Sequence, residues 1–285
     1  MLLPGVVLVF IFSYFPMFGA IIAFKDFSPG KGILGSPWVG LENFRYVFAL
    51  PDTMQVIWNT FYIASMKIVT GMVVPIFVTL LLNEVRLLFF KRTVQTMIYL
   101  PYFLSWVILG SILIDLLSPS EGIVNKIIVA LGGSPIYFLG SNTWFPFTLV
   151  VSNLWKEFGF GTVVYLAAVT AIDPSLYEAA RVDGAGRWKM MWHITLPGML
   201  PVIVLMGVLS LGNVLNAGFE QVFVLYSPAV YESGDILDTF VYRLGFIDTQ
   251  YDVSTAVGLF KSVVSFVLIS LSYWLAYRYA NYRIF

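Results

Sequence analysis

Apolar residues recur along this chain in six long runs, at 2–24, 55–82, 94–117, 143–171, 198–226 and 253–276. Between them collect Gly, Pro and most of the charged side chains. Each run matches or exceeds the roughly 20 residues that a helix needs to cross hydrocarbon. The pattern therefore predicts an all-α integral membrane protein of six spans. No Pro- or Ser-rich linker, repeat or low-complexity tract divides the sequence, so 1–285 reads as a single membrane domain. The first run is too long for the apolar core of a cleavable signal, lacks a basic start and holds Pro4 and Pro16; it is read as a retained helix.

Orientation follows from Lys and Arg, which stay on the cytoplasmic side. One set of segments holds eight: Arg86, Lys91, Arg92, Arg181, Arg187, Lys189, Arg278 and Arg283. The alternate segments hold five: Lys25, Lys31, Arg45, Lys126 and Arg243. Both termini are thus expected in the cytoplasm. The outer segments are read as short structured lids, with a short helix from Leu41, an interfacial stretch at 122–131, and an acidic segment at 227–252.

Composition narrows the chemistry. Of 285 residues, 59% are hydrophobic and 11% charged, less than half the charged share of an ordinary soluble domain. Sixteen basic residues balance sixteen acidic ones, so no global basic field points to nucleic acid. There is no cysteine and one histidine, which removes disulfides, thiolate nucleophiles and Cys/His zinc sites. No Gly-x-x-x-x-Gly-Lys-Ser/Thr run is present to cradle a nucleotide. Catalytic residues and a metal site are not expected, and a membrane-embedded transferase lacks convincing paired carboxylates.

The segment 172–197 between the fourth and fifth runs carries the sharpest signal. Asp173-Pro174 starts a helix, Ser175 and Glu178 have capping-box spacing, and Gly184-Ala185-Gly186 stops it. A second short helix is expected from Arg187 toward Pro197, with Trp188, Met191, Trp192 and Thr195 on one face. Two short helices bent at glycine suit a plug for a partner's groove. His193, beside a helix end, is read as structural.

The pattern Glu178-Ala179-Ala180, Asp183-Gly184-Ala185, then Ile194, Leu196 and Pro197, closely resembles the EAA loop of binding-protein-dependent ABC importer permeases. In that family the loop forms the coupling helix docked on the ATPase subunit. The runs Phe12 to Gly19 (FSYFPMFG), Ala23 to Asp26 and Gly40 to Phe44 resemble the carbohydrate-uptake branch, and within it permeases for complex oligosaccharides and polysaccharides, alginate importers among them. The resemblance implies a bacterial inner-membrane heterodimer with a second homologous permease, two ATPase subunits holding ATP and Mg, and an extracytoplasmic solute-binding protein. It implies no cofactor on this chain. Glu178 would then anchor the loop, with Ala179, Ala180, Asp183 and Arg187 beside it. Gly184 would give the bend, and Trp188 and Met191 would fill the partner's groove.

Polar residues inside spans are costly and mark a path or a paired site. In the fifth run Ser210, Asn213, Asn216 and Glu220 share a helical face, which predicts the lining of a wet translocation path. The fourth adds Asn153, Lys156 and Glu157, and the second Asn59, Tyr62 and Lys67. Lys67 and Lys261 are expected to snorkel or to pair with Glu157 or Glu220. Three intramembrane lysines hint at an anionic glycan. Gly258, Ser265 and Ser272, spaced by seven, suit close helix packing in the sixth run. The rival reading is an ion-coupled secondary transporter, which explains buried Lys and Glu as a relay but leaves the hairpin without a role.

Overall fold

The computed structural model describes residues 2–280, which form helices joined by turns, without a strand among them; Lys25 and Trp38 make an isolated antiparallel bridge. Arg283, part of the charge count above, lies outside the described residues. In chain order the helices are α1 (Leu3–Phe24), α2 (Glu42–Ala49), α3 (Thr53–Glu84), α4 (Leu88–Phe103), α5 (Trp106–Leu117) and α6 (Ile123–Ala130). They continue with α7 (Phe145–Thr170), α8 (Pro174–Val182), α9 (Arg187–Leu211), α10 (Phe219–Leu225), α11 (Leu237–Tyr242) and α12 (Tyr251–Ala280).

Among the described residues, helices α1, α3, α9 and α12 are each long and apolar enough to cross a membrane, and two bent pairs, α4 with α5 and α7 with α8, make up to six if each pair counts as one span. Large side chains such as Phe10, Phe12, Phe77, Leu209 and Phe266 stay exposed along them, as hydrocarbon contact permits. Three buried clusters hold the bundle together. Ala23, Val56, Leu215, Phe240 and Val257 join α1, α3, α11 and α12. Ile63, Phe145, Leu149, Val222 and Ile236 gather around α7 and α10. Leu80, Tyr165, Val169, Met191 and Met199 close the opposite end around α3, α7 and α9.

The expected third span is not one helix. α4 and α5 meet at 103°. Pro101 has no N–H to continue the ladder, and Ser105 is extended, its Oγ accepting the Ile108 N–H at 3.3 Å as an N-cap. The expected fifth span is interrupted too. α9 ends at Leu211, residues 212–218 run as turns and extended chain, and Gly218 takes φ +89° before α10 begins. The supposed short helix from Arg187 is instead the first part of α9, which runs through Pro197. A π turn at Met191–Thr195, in which the Leu196 N–H donates to the Met191 carbonyl, carries the helix into Pro197, which has no N–H to add to the ladder.

The cap of α8 also differs from expectation. Asp173 Oδ1 accepts the Ser175 N–H at 2.9 Å, and no Ser175–Glu178 capping box forms. In α12, Gly258 faces open space, so the seven-residue spacing does not mark close packing there. The short helices expected near Leu41 and 122–131 are present as α2 and α6.

Candidate functional site

Between α3, α7 and the α9–α10 interruption lies a cavity of about 440 Å³, whose wall includes Lys67, Asn153, Glu157, Ser210, Asn213 and Asn216. Asn153, Asn213 and Asn216 therefore meet where the sequence places a path. The reason is not a shared helical face. Asn213 and Asn216 lie in the unwound segment, exposed, while Val214, Leu215 and Ala217 between and after them are buried in the core. Extended and turn backbone sends neighbours to opposite sides, so amides line the space and apolar groups anchor it. Glu220, in the first turn of α10, is exposed and outside this lining.

The other expected path residues are placed elsewhere. Asn59 is buried, its Nδ2 donating to the carbonyls of Glu232 at 3.0 Å and Asp235 at 3.2 Å, so it holds the α10–α11 connection onto α3. Tyr62 is exposed on α3 and does not reach the cavity. Lys156 is buried, with Nζ donating to the carbonyls of Tyr102 at 2.8 Å and Leu104 at 2.5 Å, and lies 5.6 Å from the ring centroids of Tyr102 and Trp106. It closes the break between α4 and α5.

Neither Lys67 nor Lys261 pairs with Glu157 or Glu220. Lys67 donates to the Ala217 carbonyl at 2.6 Å and to Gln221 Oε1, and Lys261 bridges to Asp238. Gln221, which the sequence reading does not single out, is fully buried and donates to the Leu149 carbonyl and Ser152 Oγ, both at 2.8 Å. Its signal was available: an amide in an apolar run demands partners. Nearby, Asp235 is buried beside Arg243, at 2.6 Å; burial pushes its carboxyl above the usual range, against the pull of Thr239 and Arg243.

The hairpin at the other end is built by local rules. Asp173 caps α8, and the Ser175 backbone N–H holds its carboxyl below the usual carboxylate range. At the C-terminus Gly184, φ +75°, donates to the Arg181 carbonyl at 3.1 Å and Ala185 donates to the Ala180 carbonyl at 2.8 Å, a Schellman motif. Tyr177 Oη meets Thr195 Oγ1 at 2.9 Å and ties α8 to α9. Glu178, Ala179, Asp183, Gly184 and Arg187 are exposed and Ala180 half-buried. Beside them is a groove of about 540 Å³ flanked by Glu84, Arg86, Tyr177, Glu178, Arg181 and Arg187.

Trp188 is 66% exposed and free to meet another surface. Met191 is not: at 6% exposure it packs with Leu80, Tyr165 and Met199 in the protein's own core, and the expected common face is split, with Trp188 and Trp192 exposed and Met191 and Thr195 buried. The expectation that Met191 fills a partner's groove is therefore corrected. Among the described residues, no three His, Asp or Glu side chains gather as metal ligands.

The sequence pattern of the family described as "binding-protein-dependent transport system inner membrane component" matches residues 71–281, from within α3 across the cavity and the hairpin. This chain belongs to that family. It is an ABC transporter permease, a multi-pass inner-membrane subunit whose ATPase is a separate protein. It is 44% identical over its whole length to the polygalacturonan/rhamnogalacturonan transport system permease protein YteP of Bacillus subtilis (strain 168), of which the alignment covers 89%. It is 42% identical to Protein LplB of the same organism, again over all of this chain and 90% of that one. A crystal structure of a bacterial ABC transporter involved in import of the acidic polysaccharide alginate contains a chain with TM-score 0.91 and 39% identity, covering 98% of this permease and 94% of that chain. A second, of the alginate transporter with its alginate pentasaccharide-bound periplasmic protein, gives TM-score 0.89 at 39% identity, with 98% and 93% covered.

Proposed function

We propose that this permease passes fragments of an acidic polysaccharide inward by alternating access, taking them from an extracytoplasmic binding protein. Its partners are a homologous second permease and two ATPase subunits carrying ATP and Mg. The carrying observation is likeness over the full length, at 39–44% identity, to permeases of polygalacturonan/rhamnogalacturonan and alginate transporters. The cavity fits the chemistry. Asn153, Asn213 and Asn216 offer amide donors and acceptors to sugar hydroxyls, and Met72 and Met206 offer apolar surface to pyranose faces.

Residues 1–285 act as one membrane domain with both termini in the cytoplasm, which puts α8 on the side of the ATPases. There the exposed Glu178 and Ala179, with Trp188, dock, Ala180 lies half-buried beside them, Gly184 sets the bend, and movement of α8 reaches the membrane directly because α9 is continuous from Arg187 into the span. Differential docking in the two states is what lets nucleotide shift the equilibrium. The ion-coupled reading has no comparable support: Lys67 and Lys156, buried in mid-helix, donate to carbonyl and amide oxygens at the two helix breaks, and Lys261 pairs with Asp238.

The test is uptake in proteoliposomes holding the permease, its sister, the ATPases and the binding protein, with oligogalacturonides and alginate oligosaccharides as substrates. Uptake is expected to require both ATP and binding protein. Accumulation that persists without ATP and follows a proton or sodium gradient would overturn the assignment.

A further inference from the structure

Lys67 lies in the middle of α3, in the wall of the cavity, with only 9% of its surface exposed. An ammonium so placed needs acceptors, and the two it has both come from the interrupted fifth crossing: the Ala217 carbonyl at 2.6 Å and Gln221 Oε1. The Ala217 carbonyl is free because α9 has ended six residues earlier, so no helical N–H answers it. Gln221 then spends its amide protons on Leu149 and Ser152 of α7. One cation thus joins α3, the unwound segment and α7 behind the cavity wall.

The segment it holds has two faces of opposite character. Val214, Leu215 and Ala217 are buried in apolar clusters, while Asn213 and Asn216 are exposed to the cavity. A small rotation of residues 212–218 would exchange them. Elsewhere the protein uses the same device: at the other interrupted crossing, Lys156 donates to the open carbonyls of Tyr102 and Leu104.

We propose that Lys67 is a positioning residue of transport: its ammonium clamps the break between Leu211 and Phe219 so that Asn213 and Asn216 present their amides to the cavity. It does not bind the sugar's carboxylates, because its hydrogen bonds are committed to acceptors of this chain and the Glu157 carboxylate stands in the same cavity wall. The proposal rests on reading the cavity as the sugar path, but its first test does not.

The sequence contains no cysteine, so Asn216→Cys places a single thiol on this chain. In the assembled importer, labelling by a sulfonated, membrane-impermeant maleimide reports whether position 216 faces water. Labelling is expected to slow about tenfold or more when Lys67→Met is added, the scale of losing a charge-assisted hydrogen bond, and to return with Lys67→Arg. Unchanged labelling in the Lys67→Met protein overturns the clamp. Should that variant fail to assemble, Gln221→Leu, which cuts the link to α7, is expected to slow labelling as well, and no change there is equally fatal.

The second arm reads transport by Lys67→Arg and Lys67→Met importers with acidic and neutral oligosaccharides of equal length. A positioning role raises KM for both sugars in Lys67→Met and leaves their ratio unchanged, with recovery in Lys67→Arg. Selective loss of the acidic sugar, with labelling intact, would make Lys67 a substrate ligand and refute the proposal. If the unsubstituted importer carries neither sugar, the functional reading fails while the thiol experiment still decides the clamp.

Discussion

Gly159 of α7 packs against the carbonyl oxygen of Ile98 in α4 with room for hydrogen and none for carbon: a Cβ on Gly159 would stand 1.9 Å from that oxygen. The contact seats α4 against α7 just before the break, one turn from Lys156, whose ammonium holds the carbonyls beyond it. Backbone touching backbone leaves no flexible side chain to yield.

Gly159→Ala should therefore destabilise the permease by about 3 kcal/mol, the upper range of core overpacking, because α4 must move as a unit. Gly258→Ala, inside α12 where nothing lies within 4 Å, is the control and should be neutral or stabilise by up to about 1 kcal/mol. Thermal unfolding of both variants in detergent checks the contrast; similar melting temperatures would remove the claim.

Removing the Lys156 ammonium leaves two part-buried carbonyls at the α4–α5 break without their donor. Lys156→Met should lose about 2 kcal/mol or more of stability. Proteolysis should then open near Leu104, and a protein as resistant as wild type would show that the bend stands on its own.

Gly184 needs φ +75°, which proline's ring forbids and which costs alanine about 1 kcal/mol. Gly184→Pro also removes the N–H that meets the Arg181 carbonyl. It should abolish uptake while the membrane helices still insert, and Gly184→Ala should retain partial uptake. Wild-type uptake by the proline variant in vesicles would contradict the lever role of the hairpin.

Asp173 carries a pH dependence of determinable sign. Its folded carboxyl lies below the ordinary value, so the cap's contribution is present above that ordinary value and is lost as pH falls through the depressed one. The protection of α8 amides, corrected for the intrinsic pH dependence of exchange, should fall as pH drops below the ordinary carboxylate value, and Asp173→Asn, which keeps an accepting oxygen, should flatten that response.

Much of the molecule was legible one residue at a time. The hairpin could be read because capping, the glycine stop and the proline start are local: Asp173, Pro174 and Gly184 act within a few residues. The capping partner was misread since Ser175 and Asp173 both fit, and only backbone geometry chooses. Asn153, Asn213 and Asn216 stood out as amides in apolar runs. Met191 misled because an ideal helical face groups it with Trp188 and Trp192, whereas in the structure, where a π turn runs over Met191–Thr195, Met191 and Thr195 are buried and both indoles stay exposed.

The sequence alone determined six apolar stretches, their membrane setting and the bent connector between the fourth and fifth, since hydropathy and turn chemistry are sums over neighbours. Tertiary structure decided where two of those stretches break. Hydropathy is blind to a broken backbone, and an open carbonyl inside a membrane survives only with a donor from elsewhere. Lys156 supplies it from 54 positions away for Tyr102, and Lys67 from 150 for Ala217. The interruptions, and with them the direction Asn213 and Asn216 face, exist only once α3, α4 and α7 have packed.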